Sequence, residues 1–82
     1  GKPMRLDVIR DVEDEFFIGF GEVEGDCSLS IKGDLEEAAG RLYACLHLAA
    51  ESHLPRIAVA PIPHTGIGQA INDRLRRAAT PA

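Results

Sequence analysis

Arg56-Ile-Ala-Val-Ala-Pro-Ile-Pro-His-Thr-Gly-Ile-Gly-Gln-Ala-Ile-Asn-Asp-Arg-Leu, residues 56–75, changes character twice in twenty positions. After Arg56 it is apolar and partly β-branched, the pattern of a strand covered on both faces. Pro61-Ile-Pro-His-Thr-Gly then reads as a rigid turn, because proline cannot donate to a sheet ladder and glycine tolerates φ > 0. From about Gly66 to Ala79 the apolar residues recur at helical spacing, as Ile67, Ala70, Ile71, Leu75 and Ala78, with Thr65 expected as the cap. A strand running straight into a helix is one half of an α/β unit.

The same unit appears again upstream. Pro55 ends a helix expected near 34–53, since the residue before a proline avoids the helical region. Asp34 is its expected N-cap, Glu37 the partner in an imperfect capping box, and Glu37 to Arg41 a favourable i,i+4 pair. Leu35, Ala38, Ala39, Leu42, Tyr43, Cys45, Leu46, Ala49 and Ala50 share one apolar arc, whereas Leu48 points from the polar side. Before this helix, Phe16-Phe-Ile-Gly-Phe reads as a second buried strand, and Cys27-Ser-Leu-Ser-Ile as a short edge strand beyond a glycine-broken loop. Arg5–Ile9 is a further strand candidate, and Asp11, Glu13, Asp14 and Glu15 form a charge run expected to be a solvated turn. Strand, long helix, strand implies a crossover between two parallel strands, which the two outer segments would flank. The expected fold is therefore a small two-layer or three-layer α/β domain, with a short, mostly parallel sheet and two main helices. Phe16, Ile18, Leu42, Leu46, Val59, Ile71 and Leu75 are its expected core.

The chain's 82 residues, 45% hydrophobic and 27% charged, fit one folded domain over 1–82. No apolar run reaches bilayer length and no secretory leader is evident. The net charge of -4 is unevenly spread: acids dominate residues 1–54, while Arg56, Arg74, Arg76 and Arg77 face only Asp73 beyond them. An acidic domain with no Trp, one Tyr and three Phe lacks both the phosphate contacts and the stacking platforms of a nucleic-acid binder. Neither direct nucleic-acid binding nor membrane contact is expected. Cys27 and Cys45 match no metal or redox spacing and read as two reduced thiols of a cytoplasmic protein, Cys45 as a small core hydrophobe; the alternative is a single disulfide. His47, His53 and His64 share no face, so no metal site is expected.

Gly66-Ile-Gly-Gln-Ala-Ile invites comparison with the dinucleotide fingerprint Gly-x-Gly-x-x-Gly. Its third position is Ile71, and no acidic ribose partner comes about 20 residues later. The bare N–H groups of Gly66 and Gly68 still suit a small anion or nucleotide at a helix start; the competing reading is a tight turn. No serine lies in a nucleophile elbow, and neither cysteine has a visible electropositive setting. No catalytic residue is assigned. Arg74 falls inside the second helix's apolar stripe, so it must snorkel, pair internally (Asp34 is the candidate), or reach beyond the domain.

Gly33-Asp-Leu-Glu-Glu-Ala-Ala, Leu42-Tyr-Ala-Cys-Leu-His and Pro61-Ile-Pro-His-Thr-Gly-Ile-Gly-Gln-Ala-Ile-Asn-Asp-Arg-Leu-Arg-Arg-Ala-Ala together resemble the C-terminal domain of the two-domain threonylcarbamoyl-AMP synthases. The resemblance covers nearly the whole chain. Gly1-Lys-Pro-Met-Arg-Leu is similar to the segment just after that family's interdomain linker, whose His-Tyr-Ala-Pro stretch is absent here. The resemblance implies a Rossmann-like accessory domain that positions the linker over an active site in the N-terminal catalytic domain. It implies that the full enzyme, a nucleotidyltransferase of tRNA threonylcarbamoyladenosine biosynthesis, joins L-threonine, bicarbonate and ATP, with magnesium, into threonylcarbamoyl-AMP and pyrophosphate. This domain itself is expected to hold no cofactor and no metal. Its expected partners are the catalytic domain and linker of the same protein, and Gly66, Gly68, Asn72, Asp73, Arg74 and Arg77 are its motif and interdomain candidates.

Overall fold

A computed structural model describes residues 2–10 and 13–79. Four strands and two helices come in the order β1 (Met4–Arg5), β2 (Glu15–Gly19), β3 (Cys27–Ser28), α1 (Leu35–Glu51), β4 (Arg56–Val59) and α2 (Ile67–Ala79). The sheet order is β1-β4-β2-β3, with every pair parallel. The two buried-strand stretches thus pair at the centre, Phe16 beside Ile57 and Ile18 beside Val59. Strands flank them on both sides, but not with the expected bounds: of Arg5–Ile9 only Arg5 is in β1, together with Met4, and of Cys27–Ile31 only Cys27 and Ser28 form β3. α1 packs on β2, α2 reaches β1, and the helices touch each other, so they form one layer over the sheet. The fold is a two-layer α/β domain.

β2 and β3 are parallel neighbours joined by residues 20–26 alone, where such a crossover ordinarily needs a dozen residues or more. The chain manages this by folding tightly back on itself. Phe20 and Val23 form an antiparallel bridge, and Asp26 clamps the loop to β2 through its own N–H to the Phe17 carbonyl and its carboxylate on the Phe17 N–H. Backbones meet at Gly19 and Gly25; a β-carbon on Gly25 would stand 2.5 Å from the Phe17 carbonyl oxygen. Only glycine permits that approach.

The start of α1 is capped locally and its end by a tertiary contact. The Asp34 carboxylate accepts from the N–H groups of Glu36 and Glu37, the expected N-cap. Glu37 does not reach back to the Asp34 N–H, however. That N–H donates to Ser30 Oγ, whose hydroxyl donates to Glu37 Oε1 at 2.6 Å, so a buried serine relays the capping box. The last turn carries no basic residue of its own, and Lys2 supplies the charge by donating to the carbonyls of Ala49 and Ser52.

Several sequence expectations are corrected. Glu15 does not belong to a solvated turn: it is 2% exposed on β2, and Arg5 grips its carboxylate with two bonds of 2.6 and 2.7 Å across β4. That hydrogen-bonded carboxylate holds the Arg5 guanidinium above its ordinary range against the opposing effect of burial. Asp14 stays near the surface and pairs with Arg56, and Asp11 lies outside the described residues. Arg41 does not pair with Glu37 but turns to β3, where its Nε donates to the Ser28 carbonyl. Ile18, Leu42, Val59, Ile71 and Leu75 are buried as expected, while Phe16 and Leu46 are half-buried. Leu48 is exposed, as its place on the polar side implied.

Candidate functional site

The second helix is turned about its axis relative to its own apolar stripe. Gly68, Ile71, Asn72 and Leu75 are its buried residues, whereas Ile67, Ala70 and Ala78 are exposed. At about 100° per residue the buried face and the stripe differ by roughly 70°. Two locks on the preceding loop produce the rotation. A β-carbon on Gly68 would run into the Pro63 carbonyl, and the Asn72 amide donates to the carbonyls of Ile62, Pro63 and Gly68. A polar side chain is thus drawn inside because the turn presents two carbonyls, those of Ile62 and Pro63, that need a donor.

The motif residues therefore divide into groups. Gly68 and Asn72 are structural, fixing the Pro61–His64 loop against α2. Gly66 takes φ +54°, the conformation of a tight turn. The helix start is closed by backbone bonds, with the Thr65 carbonyl accepting from Gly68 N–H and the Gly66 carbonyl from Gln69 N–H. Those two donors are occupied, and the neighbouring hollow is lined by Asp34 and Glu36, whose charge disfavours an anion. Asp73 pairs with Arg76 and accepts from Arg77 through its carbonyl, an arrangement that also suits the negative end of the helix dipole.

Arg74 is separate from these. It is exposed and makes no hydrogen bond or ion pair with the described residues; Asp34 is engaged at the α1 N-cap instead. The first helix is covered on only one side of its apolar arc: Ala38, Leu42, Cys45 and Ala49 are buried, while Ala39, Tyr43 and Ala50 face outward. The two uncovered edges meet. Ala39, Leu42, Tyr43, Ile67, Ala70, Ile71 and Arg74 line one groove of about 240 Å³ between the helices. Tyr43 is 77% exposed there and stacks on His47 at 6.3 Å, and Ile67 is 43% exposed. An apolar groove rimmed by a tyrosine and an unpaired guanidinium has the composition of an interaction surface.

A second hollow opens beyond the C-terminal ends of β2 and β3, lined by Gly21, Glu22, Glu24, Gly25, Ser28 and Ile31. Ser28 Oγ is the only buried side-chain polar atom without a partner among the described residues. No cluster of three metal-ligating side chains occurs among them either. Among the features that sequence reading missed are the burial of Glu15, the turn of Arg41 toward β3, and the outward face of Tyr43. A carboxylate directly before an apolar strand was the one available signal for the first; the other two depend on how the helices seat.

No curated protein and no solved structure matches the chain. The family described as the C-terminal domain of threonylcarbamoyl-AMP synthase matches it over residues 5–80. A chain matched across nearly its whole length in this way belongs to the family of threonylcarbamoyl-AMP synthase C-terminal domains.

Proposed function

We propose that this domain is an accessory, non-catalytic module of a cytoplasmic synthase that makes threonylcarbamoyl-AMP from L-threonine, bicarbonate and ATP with magnesium. Its role is to dock on the catalytic domain and linker of the same protein. Family membership over residues 5–80 carries the reading. The groove of Tyr43, Ile67 and Arg74 supports the docking role, because apolar stripe is left uncovered on both helices at one place. There the Arg74 fork is free to take a carboxylate or carbonyl from the neighbouring domain.

Pyrophosphate release from ATP, threonine and bicarbonate tests the reading. The isolated 82-residue chain is expected to release none above background, and to raise turnover when added to the catalytic domain. Arg74→Ala and Tyr43→Ala are expected to weaken that stimulation without lowering Tm, while Arg76→Lys leaves both unchanged. Turnover by the isolated chain, or stimulation indifferent to both groove substitutions, contradicts the proposal.

A further inference from the structure

Cys27 on β3 and Cys45 in the middle of α1 are far apart in sequence, yet their sulfurs stand 2.6 Å from each other. Both are free thiols. A disulfide bond is about 2.05 Å long, so closure needs a movement of about 0.5 Å and no rearrangement of the fold. The two sulfurs are not equivalent. Cys45 is fully buried, while Cys27 is partly exposed at the sheet edge. The Arg41 guanidinium stands 3.7 Å from Cys27 Sγ, held there by its bond to the Ser28 carbonyl. It can therefore hold the negative charge of an attacking sulfur.

We propose that Cys27 and Cys45 form a reactive dithiol site, with Cys27 as the attacking sulfur and Cys45 as the resolving one, that closes reversibly to an intrachain disulfide with low-molecular-weight disulfides such as oxidised glutathione. The Cys27 thiolate attacks one glutathione sulfur, forms a mixed disulfide and releases one glutathione thiolate. The Cys45 thiolate then attacks Cys27 Sγ and releases the second. The two cysteine protons pass to the two departing glutathione thiolates, so two thiols are oxidised and one glutathione disulfide is reduced. Burial and the neighbouring Cys27 push the Cys45 thiol up to about 12, which keeps it protonated while Cys27 reacts. Conversion of Cys27 to the mixed disulfide removes that neighbour's part of the effect while the larger part, from burial, remains, so Cys45 gives up its proton as it attacks the adjacent Cys27 sulfur. The product ties the two-residue edge strand β3 to the centre of α1.

The chain's own cleavage sites make the test direct, because trypsin separates the sulfurs onto peptides 11–32 and 42–56. The intact protein is incubated with oxidised glutathione, its free thiols are alkylated during denaturation, and it is digested without reductant. The expected result is a linked 11–32/42–56 pair that dithiothreitol abolishes, together with a rise in Tm of at least about 5 °C in the oxidised protein. Cys45→Ala is expected to accumulate one glutathionyl group on Cys27, and Cys27→Ala to leave Cys45 unmodified. Wild-type protein that keeps both cysteines alkylatable, or that holds glutathionyl on Cys27 without forming the linked pair, overturns the proposal, and neither outcome depends on a variant folding.

Discussion

A β-carbon on Gly68 would clash with the Pro63 carbonyl oxygen, so the start of α2 and the turn after β4 fit together only with glycine at that position. With the Asn72 amide on the same turn, this contact sets how far α2 is rotated, and so which of its residues reach the groove.

Gly68→Ala is therefore expected to cost about 1–3 kcal/mol, the usual range for forcing atoms into a filled site. Asn72→Ala should cost about 1–3 kcal/mol as well, because it strips a donor from buried carbonyls. Gly66→Ala meets open space and carries only the strain of positive φ, about 1 kcal/mol. Urea denaturation should find Gly66→Ala the mildest of the three, and a Gly68→Ala protein as stable as wild type would refute the lock.

Glu15 and Asp14 are sequence neighbours in opposite surroundings. Glu15→Gln weakens a buried, doubly bonded carboxylate and should lower stability by about 1.5–3 kcal/mol. Asp14→Asn breaks an exposed pair with Arg56 and should stay within about 0.5 kcal/mol of wild type. Equal effects in thermal melts would mean that the Arg5 grip contributes nothing.

Leu42 and Leu46 test how α1 is seated. Leu42→Ala should cost about 2–5 kcal/mol, while half-buried Leu46→Ala should cost less, about 1–2 kcal/mol. The reverse order would place the helix on its other edge.

Under reducing conditions Cys45 makes stability fall at alkaline pH. Its thiol is raised from 9.0 to about 12 in the folded chain. Above pH 9 the unfolded chain loses this proton while the folded chain keeps it. The contribution is therefore complete below about pH 9 and fades toward pH 12, with a slope of at most about 1.4 kcal/mol per pH unit. Cys45→Ala should show a shallower decline than wild type when both are denatured at a series of pH values. Identical slopes would sink the assignment.

The central strands, both helices, the Asp34 cap and the family were legible in the sequence, because each is written in neighbouring residues: an apolar run, a helical period, a cap, a contiguous motif. The outward-facing Tyr43, Ile67 and Arg74 were not, since a helical wheel locates an apolar stripe without saying how much of it a partner element covers. On α1 that arc is wider than the sheet can bury, and on α2 the Pro63 turn rotates the stripe away.

By itself, then, the sequence determined a parallel α/β domain of a recognisable family, through local periodicity that acts within a few residues. Only the tertiary structure decided the pairings between elements: Arg5 on Glu15, Lys2 on the end of α1, and Cys27 against Cys45. Each joins groups from different elements. Their partners are fixed by the order of strands in the sheet and the seating of helices upon it, which no spacing along the chain records.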